Sequence, residues 1–143
     1  MLSASDGTVY PDDDELVGME VQHTAVAVSD LDATKAFYED GLGLVYEHDF
    51  HVDGTHHYYV SGEELDTAIQ FVHDESGDTE IEPSGIVHLA LLVDDVDETV
   101  EELVSETGCT VLKGPLTVEE ANARAAFVED PDGYEVELFR WLE

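Results

Sequence analysis

Basic residues are almost missing from this chain. Lys and Arg number 4 among 143 residues, against 36 Asp and Glu, for a formal net charge of −32. Contact with nucleic-acid phosphates needs clustered Lys and Arg, so nucleic acid is excluded as a partner. An anionic membrane surface is disfavoured on the same ground. Cysteine is nearly absent too: Cys109 stands alone. That leaves no intrachain disulfide and fits a reducing, cytoplasmic setting. Long apolar runs are lacking, since the longest apolar-rich stretch, 86–93, is far too short to span a bilayer. The opening residues Met1 to Asp6 have neither the basic nor the apolar region of a signal peptide.

What is there contradicts disorder. Apolar residues make up 43% of the chain, enough to bury a core in one domain of ordinary size. The acidity has two readings: an acidic interaction surface, or adaptation to high salt, where the Debye length falls to about 3 Å at 1 M. A local patch would leave normal Lys numbers elsewhere. The scarcity of Lys and Arg across the whole chain therefore favours a halophilic protein.

A repeat organises the sequence. Shifting it by 65 residues lays residues 23–34 on residues 88–99 with 6 of 12 positions identical: His23/His88, Ala25/Ala90, Val28/Val93, Asp30/Asp95, Asp32/Asp97 and Thr34/Thr99. With a slip of two, residues 67–71 fall on residues 134–138, which sets Gln70 against Glu137. Each copy reads as a strand (21–28, 86–93), an Asp-rich helix cap, a helix with apolar spacing, and a stop at Gly41 or Gly108. Three strands follow in each. They are expected at 44–50, 55–60 and 67–73, with Asp53-Gly54 as a tight hairpin turn, and near 110–113, 124–129 and 134–141. The expected fold is α+β, two βαβββ modules in tandem at about 20–82 and 83–143. Residues 1–19 form an acidic extension outside the repeat.

Strand alternation puts His23 on a face with Ala25 and Ala27, and His88 on a face with Ala90 and Leu92. Four residues able to ligate a metal, His23, Gln70, His88 and Glu137, thus occupy two pairs of equivalent positions. Taken singly, a strand His or Gln is an ordinary hydrogen-bonding residue. The repeat-related placement is what points to a shared centre. Two imidazoles, a carboxylate and an amide oxygen suit one divalent transition metal such as Ni, Co, Zn, Fe or Mn, rather than Ca or Mg.

The same residues carry a family resemblance over about 20–143. His23-Thr24 with Ser29-Asp30-Leu31-Asp32, Phe37-Tyr38-Glu39-Asp40-Gly41-Leu42-Gly43-Leu44, residues 85–96, and above all residues 127–138 with Asp130-Pro131-Asp132-Gly133 resemble the vicinal oxygen chelate superfamily. Within it the chain is most similar to glyoxalase I (lactoylglutathione lyase). The resemblance implies metal ligands His23, Gln70, His88 and Glu137, a small-molecule substrate and a homodimer. It also implies isomerisation of a 2-oxoaldehyde–thiol hemithioacetal through a metal-stabilised enediolate, with Glu137 as the base. Two positions depart from that pattern: Gln70 where a Glu is usual, and Ala27 where an Arg for the glutathione carboxylate is usual. A methylmalonyl-CoA epimerase-like reading stays open, with Glu47 as second base. So do an extradiol dioxygenase-like enzyme on His23, His88 and Glu137, and a metal-free bleomycin-resistance-like binding protein.

Four other features are weaker. Arg124 and Lys113 are scarce cations in or beside strands, each a candidate for a substrate carboxylate against the alternative of an ion pair. Cys109 reads as a packing residue. His51, His56 and His57 flank the Asp53-Gly54 turn, with His51 facing His56 across the hairpin, and read as exposed hairpin residues against the alternative of substrate contact or an adventitious metal. Whether the four metal-capable residues meet within one chain or between two is not decided by the sequence.

Overall fold

The two Asp-rich caps act alike. In a computed structural model, which describes residues 21–62, 67–77 and 80–142, Asp30 accepts from the amide of Ala33 and Asp95 from the amide of Glu98. The extension 1–19 lies outside the described residues. Each cap ends a first strand, β1 (His23–Val28) or β5 (Leu89–Leu92). Each starts a helix, α1 (Leu31–Lys35), which continues as a π-helical segment Ala36–Gly41, or α2 (Val96–Thr107). Then come β2 (Val45–Val52), β3 (Thr55–Ser61) and β4 (Ala68–Asp74) in one half. The other half has β6 (Val111–Val118), β7 (Ala123–Glu129) and β8 (Glu135–Trp141).

The halves form two sheets, ordered β1-β4-β3-β2 and β5-β8-β7-β6. In both, the first strand runs parallel to the last and the other pairings are antiparallel. The fold is the expected pair of βαβββ modules. Asp53 and Gly54 both have positive φ, 49° and 82°, as a two-residue hairpin turn of right-handed twist demands. Gly108 caps α2 at φ 68°.

Gly41 is a stop without the left-handed conformation that Gly108 adopts. It ends the π-helical segment, and a Cβ there would lie 2.6 Å from Leu103 Cδ1. Its hydrogen lets that segment approach α2 closely. Strand boundaries also move, most of all in β5 and β6. β5 is shorter than the apolar run, so His88 lies just before the strand. β6 runs past Gly114-Pro115 to Val118, with register shifts on both sides of Lys113 absorbing the break.

One continuous core joins the modules: Val26, Val28, Val60 and Phe71 from the first sheet, Ala126, Val128, Val136 and Leu138 from the second, and Phe37, Tyr38, Val96, Val100 and Leu103 between them. The Asp130-Pro131-Asp132-Gly133 turn stitches the halves together. Buried Asp130 accepts from the Tyr38 hydroxyl at 2.8 Å and from the amides of Asp132 and Tyr134 at 2.8 and 2.9 Å. Asp132 accepts from the Ser29 hydroxyl at 2.5 Å, and the Tyr134 hydroxyl donates to the Ala27 carbonyl at 3.0 Å. Burial raises the Asp130 carboxyl above its ordinary value, and burial followed by the Asp130 charge raises the Tyr38 phenol well above its own. The most distinctive motif in the sequence is therefore a structural clamp. Among the described residues no helix is long and apolar enough to cross a membrane.

Candidate functional site

With one face of each sheet spent on the core, the other is left open. On the first sheet β1 pairs with β4 so that Ala25 stands opposite Gln70. On the second, β5 pairs with β8 so that Ala90 stands opposite Glu137. The repeat is thus carried into register: Gln70 and Glu137 are equivalent in space, and His23 and His88 each precede that alanine by two residues.

On the second sheet His88 Nε2 lies 3.1 Å from Glu137 Oε1, with both side chains partly exposed. The His88 ring meets Phe127 edge-on at 5.6 Å, and Phe127 is the cross-strand neighbour of both Glu137 and Lys113. Lys113 therefore shares a row with the candidate base. Arg124 does not. Its guanidinium is bidentate on Asp97 of α2, at 3.0 and 2.9 Å, on the face turned to the helices. That bond lowers the Asp97 carboxyl and raises the Arg124 guanidinium. Of the two readings for Arg124, the ion pair is the one seen. Arg140, beside it across the ladder, donates to the Asp94 carbonyl.

On the first sheet Gln70 is buried, and its Oε1 lies 2.6 Å from His57 Nδ1. Tyr59, directly opposite Gln70, meets the His23 ring edge-on at 5.4 Å and stacks on His48 at 4.2 Å. Phe50 stacks on His57 at 4.7 Å. Burial raises the Tyr59 phenol, which keeps it a hydrogen-bond donor. Glu47 occupies the bulge between Tyr46 and His48, its carboxylate 4.0 Å from the His48 imidazole. This aromatic floor was missed when the sequence was read for metal ligands. Its signal was present, because a two-residue turn at Asp53-Gly54 fixes His48, Phe50, His57 and Tyr59 on one face.

The two pairs remain apart within one chain. Among the described residues, Asp49, His51 and His56 are the grouping of three imidazole or carboxylate side chains close enough to share an ion. His23, His88 and Glu137 are not such a group. Cys109 packs half-buried against the core, as a packing residue should.

The comparisons with known proteins agree with this geometry. The family model described as Glyoxalase/Bleomycin resistance protein/Dioxygenase superfamily matches residues 20–138. A probable lactoylglutathione lyase of Synechocystis is 32% identical over 126 residues, which cover 85% of this chain and 95% of that protein. The crystal structure of glyoxalase I from Zea mays superposes with a TM-score of 0.75 at 25% identity, covering 86% of this chain but only 45% of the maize chain. TnmS3, an antibiotic binding protein from Streptomyces, superposes with a TM-score of 0.71 at 28% identity, covering 88% and 98%. By its family match, its paired βαβββ modules and its relatives, the chain belongs to the glyoxalase/bleomycin resistance protein/dioxygenase superfamily and is lactoylglutathione lyase-like within it.

Proposed function

We propose that this protein is a divalent-metal-dependent lyase of the glyoxalase I type, acting as a homodimer on a 2-oxoaldehyde–thiol hemithioacetal. The observation that carries the reading is the equivalence of two half-sites: His23 with Gln70 on one open face, His88 with Glu137 on the other. Each face offers one imidazole and one oxygen donor. A second copy, laying its second sheet over the first sheet of its partner, completes an N2O2 set twice per dimer. A twofold arrangement of that kind is self-complementary.

The residues fit a borderline divalent ion. His88 Nε2 and Glu137 Oε1 lie 3.1 Å apart, and Gln70 Oε1 keeps a lone pair free while His57 holds the other. His23, Gln70, His88 and Glu137 would hold the ion, which when bound supplies Lewis-acid polarisation of two adjacent substrate oxygens. Glu137 takes the proton from the hemithioacetal carbon and returns it to the neighbouring carbon. Gln70 cannot take a proton and serves to ligate and orient. Lys113, in the Glu137 row, is the cation suited to a substrate carboxylate. Ala27 offers no guanidinium for glutathione, so the thiol partner is open to other small thiols.

One observation favours a second reading. The stack of His48, Tyr59, Phe50 and His57 is a platform on which a flat ligand could lie, and TnmS3 is described as an antibiotic binding protein. Metal content separates the two. Near-stoichiometric transition metal in protein purified without chelators, lost in His23→Ala and Glu137→Gln, with turnover of methylglyoxal–thiol adducts, supports the lyase. Metal-free, inactive protein supports the binding module.

A further inference from the structure

We propose that Asp49, His51 and His56 form a separate divalent-metal site, on the face of the first sheet opposite His23 and Gln70. The Asp53-Gly54 turn sets His51 directly across from His56, and Asp49, two residues earlier on β2, shares their face. One ligand atom from each of the three lies within 4.8 Å of those of the other two. His56 Nε2 is 2.8 Å from Asp49 Oδ2, and the two imidazoles stack at 4.0 Å.

The surroundings orient these donors as an outer shell orients metal ligands. The Tyr46 hydroxyl donates to Asp49 Oδ1 at 2.6 Å, which leaves Oδ2 turned to the histidines. Glu75, just after β4, takes His51 Nδ1 at 3.1 Å, so Nε2 of that ring is the free nitrogen. A carboxylate behind an imidazole fixes its tautomer and makes it a better donor. His73 follows His56 in the same row, but its Nδ1 is turned to the Val28 carbonyl. Two imidazoles and one carboxylate select borderline ions such as Zn, Ni, Co or Cu, and the exposed position leaves water in the remaining places. An ion there would cross-link β2 to β3 beside the hairpin turn.

The site does not depend on the lyase reading, and the test separates them. The full-length chain carrying His23→Ala and Glu137→Gln, which lacks the open-face set, is titrated with Zn(II) in molar KCl and excess Mg(II) to occupy ordinary carboxylates. It is expected to bind one Zn(II) per chain. Adding His51→Ala or His56→Ala should weaken that binding at least tenfold, and Glu75→Gln by about tenfold through loss of the orienting carboxylate. Should a histidine variant fail to fold, Asp49→Asn and Glu75→Gln keep size and shape and carry the test. Absence of Zn(II) binding in the double variant, or affinity unchanged by these substitutions, would overturn the site.

Discussion

His57 Nδ1 stands 2.6 Å from Gln70 Oε1, so the one candidate ligand unable to carry charge is held by a neighbouring imidazole. That contact makes a first prediction. His57→Ala removes the group that orients Gln70 and should weaken metal binding at the open-face site about 10- to 100-fold, as loss of an outer-shell partner does elsewhere. Metal titration of the variant against the parent, with folding checked by circular dichroism, reads the effect. Equal affinities would mean that Gln70 needs no such support.

Tyr38 and Asp130 join the two modules through a buried hydrogen bond of 2.8 Å. Tyr38→Phe leaves Asp130 its two backbone donors but removes the third. The expected loss is about 1–3 kcal/mol of folding stability, measured by denaturant melts at high salt. The same residue shapes the alkaline limb. Its folded-state pKa is raised well above 10.0, mainly by burial. From pH 10 upward the unfolded chain therefore releases the proton first, and stability falls as pH rises through that window. Tyr38→Phe should flatten this slope while the other tyrosines keep theirs. An unchanged slope would remove Tyr38 from the account.

The net charge of −32 makes stability a function of salt. Carboxylate repulsion is long-ranged in dilute buffer and short-ranged at about 1 M, where the Debye length is near 3 Å. The melting temperature should rise steeply between dilute buffer and molar KCl. A flat thermal-melt series would assign the acidity to something other than salt adaptation.

Phe50 lies exposed on the open face of the first sheet, over His57. A dimer formed between open faces buries it, so Phe50→Asp should shift sedimentation from dimer to monomer and lower activity in parallel. A dimer that survives the substitution would have to use another surface.

Much of this was legible from the residues. The repeat predicted both modules, because His23/His88, Asp30/Asp95 and the Gln70–Glu137 alignment mark equivalent corners of one supersecondary unit. Caps and the Asp53-Gly54 turn were readable because each rests on a local side-chain or backbone requirement. What local chemistry does not encode was harder to see. Gly41 does end its helical segment, but its second constraint, the close approach to Leu103, comes from a residue distant in sequence. Arg124 was weighed as a substrate cation, but the acid it meets lies on α2 and alternation alone does not reveal it. His57 was weighed as a hairpin residue or a contact to substrate or metal, but not as the neighbour of Gln70, which the turn register makes it. The separation of the two half-sites depends on which sheet faces the core absorbs, a property of the assembled modules.

Subunit mixing tests whether a metal-dependent active site is shared between two copies. His23→Ala and Glu137→Gln each disable both sites of their own dimer. In a hybrid of the two, one site collects both substitutions and the other collects none. Refolding an equal mixture in high salt with Ni(II) or Zn(II) should restore about one quarter of the parent activity and metal content, since half the dimers are hybrids with one intact site each. A mixture as inactive as its components, with hybrid dimers shown to have formed, would contradict a site shared between chains.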